Sequence, residues 1–224
     1  MSGSRAVLIC GVATDPVVWR ATAEALSARG FEVVIPERPR SGDLDTEVDS
    51  LAPHCVDAVV VGVSGGATLG LELAARGIPM QRAILHEPAA GSLAPGLLDH
   101  VVAGFRADGV TGFGRALYGS AWQRSMTSDD ADTVARELAM FRAFEPRVPA
   151  IEREVVTLTV GECSPPARYA SVRALSDALG VEYRVLAGAG HAAHLENAFG
   201  PLMCEFEVGL SLIHISEPTR LGMI

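Results

Sequence analysis

Short, largely apolar runs recur along the chain, and each of the early ones gives way to a turn and then to a helical repeat. The six runs are Ala6–Cys10, Phe31–Pro36, Asp57–Val63, Arg82–Pro88, Val155–Gly161 and Glu182–Gly188. Apolar runs without strict apolar–polar alternation mark strands covered on both faces. Between them, helices are predicted over Trp19–Arg29 (closed by Gly30), weakly through Glu47–Leu51, from Ser64 to about Arg76 (closed by Gly77), and over Ala167–Gly180. Strands alternating with helices imply crossover connections. The pattern therefore predicts an α/β fold, a doubly wound and mostly parallel sheet of about six strands.

The pattern changes between Pro95 and Pro149, where no strand-like run occurs. Helical stretches are predicted instead at Leu97–Phe105, Gly112–Tyr118 and Asp129–Phe144. Residues 95–149 are thus expected to form a helical cap inserted into a core made of 1–94 and 150–209. Beyond Gly209 the character changes again. Leu210–Arg220, "LSLIHISEPTR", resembles the translation of a transposase-type sequencing-library adapter. Residues 210–224 are accordingly expected to be a non-native tail, and His214 and Glu217 are set aside as site candidates.

Composition narrows the function. Apolar residues make up 49% and charged residues 20% of the 224, as in a globular protein. A net charge of -9, with no Lys/Arg cluster, argues against a nucleic-acid partner. No run approaches the roughly 20 apolar residues that span a bilayer, so no membrane partner is expected. The opening "MSGSRAVLICG" is too short and too weakly basic for a secretory signal. Cys10, Cys55, Cys163 and Cys204 have no metal-type spacing and read as free thiols, which suggests a cytoplasmic protein. No phosphate loop, zinc spacing or dinucleotide fingerprint is present, so neither cofactor nor metal is implied. A small-molecule substrate is the expected partner.

The chemistry centres on "VVVGVSGGATLG", Val59–Gly70. A serine at a sharp turn from a parallel strand into a helix stands at the sheet edge where ligands bind. Gly62 and Gly66, two residues to either side of Ser64, let strand and helix pack closely, giving the G-x-S-x-G pattern of a nucleophile elbow. Ser64 is the candidate nucleophile. The amide of Gly65, at the helix N-terminus, lies beside the place where an oxyanion would form.

With "LICGVATDPVVW", "VVIPERPRSGD", "AILHEP" and "LAGAGHAAHLENAF", this segment makes residues 6–209 resemble the α/β-hydrolase fold family, without the two leading antiparallel strands common there. The resemblance implies a serine hydrolase whose base follows the last strand, which selects His191. His194 is the weaker alternative, expected in the first turn of a following helix. His54, His86 and His100 carry no role. In the family a His-Gly often follows the first core strand. Here it is Cys10-Gly11, and the second oxyanion donor is expected to be the amide of Val12, with Ala13 as the alternative. Cys10 is expected to be buried and unreactive.

The acid is the departure. The family's aspartate follows the fifth of these strands, where this chain has "VGECSPP" and Ser164 in its place. Glu87 at the end of the fourth run, Glu162 in a shifted loop, or no acid at all remain open, with Glu87 narrowly preferred. The cap brings Phe105, Phe113, Leu117, Tyr118, Trp122, Phe141 and Phe144 into a chain that is only 5% aromatic. Phe105, Phe113, Trp122 and Phe141 are expected to line an apolar substrate pocket. The resulting expectation is a hydrolase of a small uncharged ester, thioester or lactone. The alternatives are C–C hydrolysis, acyl transfer or perhydrolysis on the same machinery, or a ligand-binding protein without catalysis.

Overall fold

Each of the six apolar runs forms a strand in the computed structural model, which describes residues 4–196 with Ala198 and Phe199. They are β1 (Arg5–Ile9), β2 (Glu32–Val34), β3 (Val59–Val63), β4 (Arg82–His86), β5 (Val156–Gly161) and β6 (Glu182–Leu186). All pairings are parallel, in the order β2-β1-β3-β4-β5-β6. The first strand thus lies one position in from an edge, β2 takes that edge, and the chain returns through β3 to the far edge.

Alternate residues of the strands feed two apolar layers. Val7, Ile9, Val60 and Leu85 face α2 (Leu44–Cys55), α3 (Gly65–Ala75) and α6 (Pro166–Leu179). Ala6, Leu8, Val61 and Ile84 face α1 (Arg20–Ser27) and the segment that includes Ala193 and Phe199. Burial on both faces is why β1, β3, β4 and β5 read as continuous apolar runs rather than as alternation. β2 and β6 are edge strands and only partly buried, so their patterns are more mixed.

Two differences from expectation have local causes. The helix expected over Glu47–Leu51 extends over all of α2. Asp43 caps it by accepting from the Thr46 N–H at 2.8 Å, a signal outside the apolar pattern. Residues 191–196 form turns, not the helix expected around His194.

The segment between β4 and β5 carries two long helices, α4 (Asp99–Tyr118) and α5 (Ala131–Ala143). α4 runs as two limbs, broken where Asp108 leaves helical geometry and Gly109 takes φ +53°. That break separates the two stretches read as distinct helices in the sequence. The adapter-like stretch 210–224, Cys204 and the end of the expected core (201–209) lie outside the described residues. Among the described residues, no helix is long and apolar enough to cross a membrane.

A buried ion cluster ties the cap helix α5 to the core. The Arg38 guanidinium donates to Glu47 at 2.8 Å and to Glu137 of α5, and all three side chains are fully buried. Arg40 extends the cluster to Asp129 (2.8 Å) and to Glu137 (3.2 Å). Burial alone would weaken the Arg38 charge, but Glu137 and Glu47 outweigh it and hold this guanidinium firmly protonated.

Candidate active site

The loops that leave the carboxyl ends of the strands converge on one edge of the sheet. Gly11–Thr14 follows β1, Ser64 follows β3, Glu87 follows β4, Ser164 follows β5 and His191 follows β6. Three of these turns hold a non-glycine residue at positive φ: Ala13 at 54°, Ser64 at 55° and Glu87 at 47°. Such geometry costs of order 1–3 kcal/mol per residue and persists only where the surroundings enforce it.

The elbow is enforced by its glycines and its hydrogen bonds. A Cβ on Gly66 would stand 2.2 Å from the Ile9 carbonyl oxygen, and one on Gly62 would stand 2.5 Å from the Gly66 carbonyl. β1, β3 and α3 therefore approach so closely that no side chain fits at either position. The Ser64 N–H donates to His86 O at 2.9 Å, and the Thr68 N–H and hydroxyl both donate to Ser64 O. Gly65 opens α3, and the amides of a first helical turn have no preceding carbonyls to bond.

His191 Nδ1 donates to Glu87 Oε2 at 2.7 Å. This bond puts the proton on Nδ1 and leaves Nε2 with its lone pair; Nε2 is buried and has no hydrogen-bond partner among the described residues. The other Glu87 oxygen accepts from the Gly161 N–H at 3.0 Å and from the Ser164 hydroxyl. Burial would raise the Glu87 carboxyl. The bond and charge of His191, the charge of His86 and the Ser164 bond outweigh burial and hold it well below the usual carboxylate range.

The carboxylate that meets His191 is therefore Glu87. Glu162 is excluded by position: it is exposed, and it accepts from the Gly188 N–H at 2.8 Å on the far side of the loop. Ser164, the residue standing where an aspartate was expected, is short enough to admit the Glu87 carboxylate and donates to it. His194 also lies off the constellation, between the Trp19 and Tyr118 rings with centroid distances of 5.1 and 5.7 Å. His86, given no role in the sequence, is buried. Its Nε2 donates to Gly190 O at 3.0 Å, and its Nδ1 accepts from Thr159, so it fixes the loop directly before His191.

Every carbonyl of the Gly11–Thr14 loop has a side-chain donor. Gly11 O accepts from Arg38 (3.3 Å) and Thr14 Oγ1 (3.1 Å), and Val12 O from the Tyr118 hydroxyl (3.0 Å). Ala13 O accepts from the Trp122 indole at 2.9 Å, and Thr14 O from Arg40 at 2.6 Å. With the carbonyls held and the peptides planar, the N–H directions are held too, each opposite its own carbonyl. Cys10 is buried with its thiol pushed up to about 11, first by desolvation, and so stays protonated.

The cap closes over these groups. Val12, Ser64 and Gly65 share an inner pocket with Phe113, Leu117, Leu138 and Phe141, where the free volume is only about 20 Å³, room for one water. Phe113 and Phe141 line this inner pocket; Phe105 and Trp122 do not. Phe105 is half-buried against the cap's own core. Trp122 packs on Gly114 and uses its indole N–H to anchor Ala13, so it clamps the loop rather than receiving a ligand. Tyr118 was placed in the lid without a defined role. Its ring stacks on His191 (5.6 Å, 23°), and its hydroxyl interacts with Ser64 and Thr14 while burial raises its pKa. Arg168, in the first turn of α6, escaped notice in the sequence and also borders the inner pocket.

Burial makes the site sensitive to acid. Desolvation is the leading cause that lowers His86, His191 (to about 4) and His194 (to about 3) from the ordinary 6.5. The unfolded chain then binds more protons than the folded one across this interval. Stability is fully present above about pH 6.5 and drains away as the pH falls toward 4. We expect Tm to drop between pH 7 and pH 5 in scanning fluorimetry, and His194→Phe, with one buried imidazole fewer, to show a shallower drop. An unchanged Tm across this range would mean that these rings charge freely.

A model of the alpha/beta hydrolase family matches residues 6–201. Among curated proteins, none matches the sequence. Solved structures share the fold. The enol-lactonase from Burkholderia xenovorans LB400 is 20% identical with a TM-score of 0.72, over 93% of this chain and 92% of that one. Est816, described as an N-acyl homoserine lactone degrading enzyme, is 21% identical with a TM-score of 0.72, over 91% and 93%. A thioesterase domain from the curacin biosynthetic pathway is 16% identical with a TM-score of 0.59, over 91% of each chain. At these identities the likeness is one of fold.

Proposed function

This chain belongs to the alpha/beta hydrolase family, and from that premise we propose that it is a serine hydrolase of small esters, thioesters or lactones with an apolar acyl portion. The observation that carries the reading is the 2.7 Å bond from His191 Nδ1 to Glu87, on the same sheet edge as the strained Ser64. A ligand-binding protein has no need of a backbone strained at a serine beside an oriented imidazole.

In the proposed reaction Ser64 Oγ attacks the carbonyl carbon while its proton passes to His191 Nε2. The carbonyl oxygen becomes an oxyanion, stabilised by the N–H groups of Gly65 and Val12. The new imidazolium is paired with Glu87. Collapse of the tetrahedral intermediate breaks the bond to the leaving alkoxide or thiolate, which takes the proton from His191. Water then loses a proton to His191 and attacks the acyl-enzyme, releasing the acid and returning the proton to Ser64. For a lactone the leaving alcohol stays tethered to the acyl group. The narrow inner pocket and its Phe113 and Phe141 walls favour a short apolar acyl group.

Labelling with a fluorophosphonate and peptide mapping test this reading. The parent chain is expected to label at Ser64, whereas Ser64→Ala and His191→Ala do not label. A folded parent that remains unlabelled would overturn the reading in favour of a binding protein.

A further inference from the structure

Arg168 is the one charged side chain lining the inner pocket, and it also borders a wider outer groove of about 630 Å³ with Leu93, Pro95, Leu97 and His100. The residue is only 4% exposed. Its nearest counter-charge is Glu87, with Nε at 3.6 Å from Oε2, outside hydrogen-bonding distance. Glu87 is already engaged by His191, Gly161 and Ser164. Among the described residues the Arg168 guanidinium donates no hydrogen bond, although it carries five N–H donors in a planar fork.

This arrangement is unusual for a structural arginine. Burying a guanidinium is costly unless its donors are satisfied, and desolvation does lower the Arg168 pKa. Arg38 in the same chain shows the structural solution, with two buried carboxylates bonded to it. Among the described residues no carboxylate lines either the pocket or the groove beside Arg168, in a chain with a net charge of -9. The cationic fork thus borders the space that opens onto Ser64, and the acceptor that fits it must enter from solvent.

We propose that Arg168 binds a carboxylate of the substrate, so that the natural ester, thioester or lactone carries a free carboxylate a short chain away from the carbonyl that Ser64 attacks. The planar guanidinium matches a carboxylate in two-point geometry. The acyl chain lies against the apolar inner wall while the carboxylate rests at the mouth of the outer groove. This refines the uncharged substrate expected from the cap residues alone, and it rests on the serine-hydrolase reading only for the reacting bond.

Binding and turnover separate the two ideas. Calorimetry on Ser64→Ala is expected to show monomethyl glutarate binding roughly 10- to 100-fold tighter than methyl pentanoate, its neutral counterpart. Adding Arg168→Met should abolish that preference, and Arg168→Lys, which keeps the charge but not the fork, should retain part of it. Circular dichroism verifies that each variant is folded; if Arg168→Met is not, the Lys variant decides. Equal binding of the two esters by the Ser64→Ala protein would overturn the proposal, as would a preference that survives Arg168→Met or is undiminished in Arg168→Lys. Hydrolysis of the same esters by the parent chain, followed in a pH-stat, should show the same preference in kcat/KM. Absence of turnover with preserved, Arg168-dependent binding would sink the hydrolase reading and leave the carboxylate site standing.

Discussion

Replacing Glu87 by Gln is expected to lower kcat by about 10⁴-fold with little change in KM. The cause is a tautomer. Glu87 Oε2 accepts from His191 Nδ1 in the native site, whereas a Gln amide nitrogen at that place donates. His191 would then carry its proton on Nε2, the nitrogen that must receive the Ser64 proton. The Gln oxygen can still accept from Gly161 and Ser164, so the loops keep their bonds. The buried Arg168 loses its counter-charge, so some loss of stability is also expected. Glu162→Gln is the control. Among the described residues its exposed side chain accepts one hydrogen bond, from the Gly188 amide, and kcat should stay within roughly twofold of the parent. Steady-state hydrolysis of a chromogenic ester, with circular dichroism to verify folding, measures both. If Glu162→Gln is the crippled variant instead, the assignment of the acid to Glu87 fails.

The second large effect concerns stability. Arg38→Met leaves the fully buried carboxylates of Glu47 and Glu137 without their shared cation, and strips Gly11 O of one donor. Removing one partner from a buried ionic cluster costs about 3–5 kcal/mol. For a chain of this size that corresponds to a fall in Tm of about 6–20 °C. Arg40 remains near Glu137 but has Asp129 and Thr14 to serve as well. Adding Glu47→Gln and Glu137→Gln to Arg38→Met should restore part of the lost stability, because the uncompensated charges disappear. Thermal unfolding of the three proteins measures this. A Tm for Arg38→Met within a degree or two of the parent would mean that the cluster contributes no net stability.

Both expectations turn on contacts between distant parts of the chain, and this is where sequence and tertiary structure divide. The inner strands were legible because burial on both faces favours largely apolar runs, whereas the partly exposed edge strands β2 and β6 carry a weaker signal. The elbow was legible for the same kind of reason. Gly62 and Gly66 leave a recognisable spacing around Ser64, although the crowding that excludes a Cβ at Gly66 comes from Ile9 of β1. His191 could be proposed because the family resemblance places a base in the loop after the last strand.

Other features had no local signature. Glu87 and Glu162 are both carboxylates just beyond strand ends, and only the folded sheet brings β4's end to the loop 104 residues later, where His191 waits. Ser164 could be seen to stand where an acid was expected, but not that it would donate to one reaching across from β4. Trp122 and Phe141 are both cap aromatics in the sequence, yet packing turned one into a clamp on Ala13 and the other into a pocket wall. Arg168 reads as an ordinary polar position in an amphipathic helix until its burial beside Ser64 is known. Sequence alone thus determined the elements and the candidate nucleophile, because strand burial and the glycine spacing of a sharp turn leave their mark in consecutive residues. Tertiary structure decided which carboxylate meets His191, which cap residues wall the pocket and how Arg168 lies beside Glu87, because charge, burial and hydrogen bonding depend on which distant loops share a sheet edge.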